Sequence, residues 1–568
     1  MLRSDFIRSL FLAAVPILAL AAFTPSGAPG GSDAQGRAAT VPSSQTATSP
    51  EASPQQSQSG RAPSDVIGKK EVATEPNRSN ALLLLHPRRR IETKEGSGRY
   101  HLLTKSVEWD PKKTALVICD MGDKHWCAES TRRVGEMAPR MNALVAAARA
   151  KGVLIIHCPS DTLDFYEGTP QRKLAQSAPA VATQRPLERW CHLEPGKEGK
   201  LPIDDSDGGC DDLPQPKNYK AWSRQIATIE VKDGDAITDS AEAYYLMKQR
   251  GIENLLVMGV HTNMCVLGRP FSIRQMVYQG MNVILVRDMT DTMYNPAKSP
   301  FVHHCTGTDL VIEHIEKHWC PTITSVDLLG GREFRFSEDQ RPHVVFVVAE
   351  DEYKTEVSLP EFAARHLGKE FRTTFVFGSE TERFNIPGLD VLEQADVMVV
   401  SVRRRPLPAA QLDLVRRFVA SGKPVVGIRT ASHAFAPRVG MPLEAGLSEW
   451  PTFDPDVLGG HYVGHREEGP QTQLAVATGG AGHPIFEGVD LAQLVGYGSL
   501  YQTSPLGSTA KPLLIGRVAN HPEEPAAWTN TTGAGGKVFY TSLGHLDDFK
   551  QPAFNRLMLN AIRWAAAK

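Results

Sequence analysis

The sequence predicts an α/β chain of two domains, each a parallel β-sheet with helices on both faces, on three observations. Apolar strands such as TALVICD (114–120), VLIIHCP (153–159) and NLLVMGV (254–260) alternate with helical patterns, which is how strands buried on both faces look. At 568 residues the chain is longer than one hydrophobic core ordinarily serves. A polar, turn-rich stretch, GGREFRFSEDQRP (330–342), divides a first strand–helix series from a second.

In chain order, residues 1–23 carry arginines, an apolar run broken by Pro16, and small residues around Ala21. That is a secretory signal pattern, with an uncleaved membrane anchor as its alternative. It implies a periplasmic or secreted protein. Residues 24–97 are assigned to a disordered linker. As far as about residue 80 they are rich in Ser, Pro, Gln, Ala, Gly and Thr, with too little apolar surface to fold.

The first domain spans 98–330. Its series continues with helix MAPRMNALVAAARAKG (137–152), helix AEAYYLMKQRG, strand NLLVMGV, helix FSIRQMVYQG and strand NVILVRD. Residues 160–225 form a polar insertion of little pattern. The second domain, 341–568, runs through HVVFVVAED, ADVMVVSV, AAQLDLVRRFVASG, PVVGIRT, PLLIGRV and KVFYTSLG to a closing helix, AFNRLMLNAIRWAAA. The halves share no motif, so they are different domains and not a repeat.

A net charge of −2 gives no reason to expect nucleic acid. All eight cysteines lie between 119 and 320, none as C-x-x-C, so no zinc ribbon is indicated. In an oxidising compartment Cys191 and Cys210, both in the polar insertion, are the expected disulfide. The acidic loop LPIDDSDGGCDDLP lacks EF-hand spacing and is read as a solvated loop over a pocket, with calcium at 204–212 left open. FVHHCTGTD (301–309) is read as structural or pocket-rim.

Ligands of open α/β sheets bind at the carboxyl ends of the strands. Three such ends are read as carrying reactive groups: Asp120 after TALVIC, Lys232 after ATIEV, and Cys265 beyond NLLVMGV at the start of a helix. The ammonium and helix terminus would favour thiolate, and the carboxylate would serve as general base. Backbone N–H groups around Met264 and Cys265 would hold an oxyanion. The implied reaction is hydrolysis of a C–N bond through a thioester. Lys124, near Asp120, is the fallback cation. His125 and Trp126 are candidate pocket walls, and His261 a candidate substrate contact.

These elements, VICDMGDKHWC, IEVKDGDAITD and GVHTNMCV in that order, resemble the isochorismatase-like cysteine hydrolases, the superfamily of nicotinamidases and N-carbamoylsarcosine amidases. Lys232 precedes Gly251 by 19 residues and Gly251 precedes Cys265 by 14, spacings similar to the family's. RDMTDTMYNP resembles the family's next strand. The resemblance covers about two-fifths of the chain and implies a Rossmannoid fold with a catalytic triad of Asp120, Lys232 and Cys265. It also implies a cis peptide before His261 and a pocket that includes Asn263 and Met264. KDGDAITDS departs from the family pattern after the lysine. Nicotinamidases hold a metal with an Asp-x-His pattern, which IIHCPSDTLDFYEG lacks, so neither metal nor cofactor is expected.

In the second half, PVVGIRTASHAF, LGGHYVGH, HPIFEGV and KVFYTSLGHLDDFKQPAFNRLMLNAIRWAA resemble ThuA-like (trehalose utilisation) domains, which share the flavodoxin- and glutamine amidotransferase-like fold. The amidotransferase elbow cysteine is missing, since no cysteine follows Cys320. A polar crevice of Arg429, His433, His461, His465 and His545 would suit a carbohydrate. The sequence thus points to an exported cysteine hydrolase of a small amide, ureide or carbamoyl compound, with an accessory ThuA-like domain. The alternatives are a non-catalytic sugar-binding or scaffold protein, or an enzyme whose active half is the ThuA-like domain. A homo-oligomer is compatible with either.

Overall fold

The computed structural model describes residues 82–567. The signal pattern and most of the linker therefore lie outside the described residues. The described residues form one compact unit holding both domains.

The first sheet has eight strands: β1 (Arg88–Glu92), β2 (Tyr100–Thr104), β3 (Thr114–Cys119), β4 (Leu154–Cys158), β5 (Ala236–Ile237), β6 (Asn254–Val260), β7 (Asn282–Asp291) and β8 (Thr322–Ile323). Their order is β2-β1-β8-β7-β6-β3-β4-β5. From β8 to β5 all neighbours are parallel, while β1 joins β8 antiparallel and forms a hairpin with β2. This corrects the linker assignment, because β1 lies within 24–97. Arg88 and Arg90 on β1 pair with the buried Glu316, a tie between distant residues that local composition does not reveal.

The central strands β3 and β6 are buried along their whole lengths. One face is covered by α1 (Ala128–Ala150), with Met137, Met141, Leu144 and Val145 in the core. The other is covered by α2 (Glu242–Gln249) and by α5 (His304–His318). Between β6 and β7 the expected helix is split into α3 (Cys265–Gly268) and α4 (Ile273–Tyr278). Pro270 lies in the break and cannot continue a helical ladder.

The second sheet comprises β9 (His343–Ala349), β10 (Arg372–Phe377), β11 (Val397–Val402), β12 (Val425–Ile428), β13 (Thr472–Val476), β14 (Val495–Gly496), β15 (Lys511–Arg517), β16 (Glu524–Thr531) and β17 (Lys537–Thr541). The order is β10-β9-β11-β12-β17-β16-β15-β13-β14. The first five are parallel, and the last four continue antiparallel. A sheet with this antiparallel half modifies the all-parallel expectation. No helix separates β15, β16 and β17, and short turns join antiparallel neighbours. Helices α6 (Thr355–His366), α7 (Ala409–Ala420) and α8 (Pro552–Ala566) cover the faces. Leu102 on β2 is buried in the core of the second domain, so the first hairpin fastens the two together.

Candidate functional site

The site lies at the carboxyl ends of β3 and β6, around a cavity of about 220 Å³. Gly259, at φ 111°, makes the local geometry: it is paired with Cys119, and a Cβ there would overlap the Cys119 carbonyl oxygen. Glycine alone lets β6 approach β3 so closely. The two strand ends then deliver Asp120 and Cys265 to one cavity.

Asp120 takes φ 47°, turning its side chain into the site. Its Oδ1 accepts a hydrogen bond from the Ser160 N–H at 2.8 Å, and Oδ2 is buried with no hydrogen-bond partner. The Arg269 Nε lies 3.6 Å from that Oδ2, and the Arg269 Nη2 lies 3.4 Å from Asp161 Oδ2. Both Asp120 and Arg269 act directly on the Cys265 thiol. Burial, and then the Asp120 charge, push that thiol well above its ordinary range, with Arg269 opposing. The resting cysteine is therefore a neutral thiol. This reverses the expected low pKa: α3 is a single turn, and a buried carboxylate outweighs it.

Lys232 is elsewhere. The strand in its segment is β5, which begins four residues after it, so Lys232 precedes the strand and lies away from the carboxyl edge. Its side chain is half exposed and pairs with Glu230 at 3.0 Å. Its backbone N–H donates to the buried Asp235, which also takes Arg149 and His157. Lys124 lines the rim and is exposed. The cation of the site is Arg269, which the sequence reading missed. Its spacing of four residues from Cys265, one helical turn, was the signal that could have found it.

The peptide Val260–His261 is cis. The Met264 N–H is engaged by the His261 carbonyl at 2.9 Å, which removes it from the expected oxyanion pair. The Cys265 N–H has no acceptor among the described residues. Asn263 is not among the residues that line the cavity: its amide bridges Asp205 at 2.7 Å and the Met293 backbone, at 3.1 Å to the carbonyl and 3.0 Å to the N–H. The Met264 side chain does line the cavity.

The opposite wall is aromatic. His125 stacks on Trp222, with centroids 5.7 Å apart, and meets His261 edge-on at 5.0 Å, with Trp126 beside it. The His261 Nε2 and the Ser130 hydroxyl are 2.8 Å apart. Burial holds His125 down to about 4 and His261 to about 3, so both rings are neutral at pH 7. Trp222 comes from the insertion, as does Trp190 over Arg269. The insertion is thus the roof of the cavity, which no local pattern announced.

The disulfide joins Cys127 to Cys210, and Cys191 is a free thiol. This corrects the expected pair, because the acidic loop is pinned to the start of α1. Asp212 accepts the N–H groups of Ala128 and Glu129, and Asp211 pairs with the buried Arg133. Cys127, Cys210 and Asp212 are one cluster of potential metal-ligand atoms, its two sulfurs being those of the disulfide. In FVHHCTGTD, His303 caps α5 and His304 pairs with Asp291 at 2.9 Å.

In the second domain, Arg429 follows β12 at φ 42° and is buried. Its guanidinium lies 4.1 Å from the Tyr353 ring centroid and 4.4 Å from that of Tyr501. His433 packs on Tyr462 at 4.6 Å, and burial and nearby guanidinium groups hold it near 3. His545 meets Tyr353 edge-on, and the His465 Nδ1 lies 2.7 Å from the Arg466 carbonyl oxygen. His461 is mostly exposed and pairs with Asp454 at 3.0 Å. Tyr353, Tyr462, Tyr501 and Arg404 were not foreseen.

Residues 344–565 match the ThuA family model, trehalose utilisation. No curated protein matches the chain. Among solved structures, a ThuA-like protein from Bacteroides uniformis is 16% identical over 41% of this chain and 95% of its own, with a TM-score of 0.30. A cysteine hydrolase from Pseudomonas syringae pv. phaseolicola is 16% identical over 39% and 92%, with a TM-score of 0.25. An isochorismatase family protein from Burkholderia thailandensis is 16% identical over 38% and 94%, with a TM-score of 0.22. Likeness at this level carries no chemistry across.

Proposed function

We propose that the first domain is a cysteine hydrolase that cleaves the C–N bond of a small amide, ureide or carbamoyl compound. The observation that carries this reading is that Cys265, Asp120 and Arg269 line one cavity, close enough for both charges to act on the thiol. A merely structural cysteine needs neither a carboxylate nor a guanidinium against its sulfur.

The chemistry follows from that trio. As the Cys265 sulfur attacks the carbonyl carbon, Asp120 takes the thiol proton and the C–S bond forms. Arg269 offsets the negative charge while it passes between sulfur and carboxylate. The carbonyl electron pair moves to oxygen, which takes the open Cys265 N–H. Collapse breaks the C–N bond, and Asp120 returns the proton to the leaving nitrogen. Asp120 then deprotonates a water, which attacks the thioester. The C–S bond breaks, and the proton returns to sulfur. The neutral rings of His125 and His261 make the opposite wall uncharged, which suits an uncharged amide group. The signal pattern at residues 1–23 supports an exported location for this activity.

Ammonia release from a panel of amides, ureides and carbamoyl compounds tests the reading. Turnover by the wild type and none by Cys265→Ala is the expected result. Equal turnover by the variant would overturn the thioester. Without substrate, alkylation of Cys265 at pH 6–7 is expected to be slow, because the resting sulfur is protonated.

A further inference from the structure

The carboxyl edge of the second sheet has an unbalanced charge. The chain enters this sheet at β9, moves outward to β10 and returns to β11 on the other side of β9. The crevice between β9 and β11 is therefore a switch point, where open α/β sheets receive ligands. Tyr353 follows β9, Arg403 and Arg404 follow β11, and Arg429 follows β12. Arg404 and Arg429 both sit at positive φ, 46° and 42°. Non-glycine residues are uncommon in this conformation.

The carboxylates nearby are already engaged. Asp351 and Glu352 pair with Arg403, and Asp351 also with Arg383. Glu350 takes the backbone N–H groups of Glu352, Tyr353 and Thr355. Asp548 takes those of Tyr497, Gly544 and His545. Among the described residues no carboxylate lies within ion-pair distance of Arg404, Arg405 or Arg429. Arg405 is buried and bonded to backbone carbonyls. Arg429 is buried under Tyr353 and Tyr501, with its fork on the Ser499 and Ser542 carbonyls. Arg404 is partly exposed, and among the described residues its one side-chain hydrogen bond runs from Nη1 to the Pro437 carbonyl at 3.3 Å.

Uncompensated guanidinium groups at a sheet edge make a positive field that awaits an anion. The ring residues add a second half to the site. Tyr353 and Tyr462 are partly exposed, and the His433 Nδ1 is 3.1 Å from the Ser432 hydroxyl while its Nε2 has no partner among the described residues. Aromatic faces take the C–H face of a sugar ring, and a neutral imidazole nitrogen takes a hydroxyl.

We propose that this edge binds a monosaccharide bearing an oxyanion, a carboxylate or a phosphate, with Arg404 on the anion and Tyr462 and His433 against the ring. This goes beyond the hydrolase reading and does not depend on it, since no residue of the first site takes part. Calorimetric titration of the full chain with glucuronate, glucose 6-phosphate, glucose and inorganic phosphate tests it at low salt. At least one acidic sugar should bind at least about tenfold tighter than glucose, the effect of one charge-assisted contact. Which of the two it is tells carboxylate from phosphate. Arg404→Met should weaken that binding at least about tenfold, and Arg404→Lys less. Tyr462→Ala should weaken the acidic sugar but leave inorganic phosphate unchanged. Cys265→Ala should bind like the wild type, so loss of hydrolysis and loss of binding are separable. The proposal falls if glucose matches both acidic sugars, if neither binds below about 10 mM, or if Arg404→Met binds as the wild type does.

Discussion

The two sheets present the same structural position with opposite contents. After β6 the first domain places a thiol, Cys265, in a cavity that a carboxylate and a guanidinium also line. After β12 the second places a guanidinium, Arg429, at φ 42° between two tyrosines, with no thiol anywhere in that half. One edge has a thiol beside a carboxylate, the pairing that covalent chemistry requires. The other has fixed positive charge and aromatic surface, the requirement for holding an anion. A strand end at the carboxyl edge thus selects where chemistry can sit, while its side chains decide which chemistry it is.

This contrast can be broken by substitution, starting with the largest effect. Asp120→Asn removes the base without changing shape, and turnover should fall by about 10²–10⁴-fold in steady-state rates. Arg269→Met should cost about 10²-fold in kcat/KM by loss of charge stabilisation, while Lys232→Met should stay within about twofold. Equal loss in those two variants would restore Lys232 to the site, and an Arg269→Met variant as active as the wild type would remove Arg269 from its role. Next comes the fastening of the acidic loop. Cys210→Ala opens a link spanning 83 residues and should lower unfolding stability by about 2–4 kcal/mol in denaturant titrations.

The smallest effect concerns protons. His261 in the first domain and His433 in the second are both held near 3, against an ordinary value of 6.5. The unfolded chain binds a proton at each below pH 6.5, and the folded chain does not until pH nears 3. Stability from this source is fully present above pH 6.5 and is lost as pH falls toward 3. The slope should be at most about 1.4 kcal/mol per pH unit for each histidine. His261→Gln and His433→Gln should each flatten the acid limb of stability against pH. A variant with an unchanged limb would show that its histidine is not the titrating group.

Asp120 and Cys265 were legible because each ends an unbroken apolar strand, and strand ends are read locally. Lys232 was misplaced for a related reason. ATIEVK has a strand-like apolar alternation, yet it is irregular backbone, and the strand follows it at Ala236–Ile237. Asn263 lies in the right turn, but its amide faces Asp205 and Met293, partners 58 and 30 residues away. The expected disulfide failed similarly: both its cysteines lay in the insertion, while the true partner of Cys210 is at the start of α1.

The sequence by itself determined the two α/β domains, the alternation of buried strands and amphipathic helices, and the strand ends that bear Asp120, Cys265 and Arg429. Those features depend on patterns within about ten residues, which hydrophobic burial enforces wherever the chain lies. Only the tertiary structure decided that Arg269 is the cation, that Cys265 rests protonated and that the insertion roofs the cavity with Trp222. It also decided that the charges around Arg404 go unbalanced. Charge balance and burial are sums over residues far apart in the chain, and they exist only once the sheets have closed.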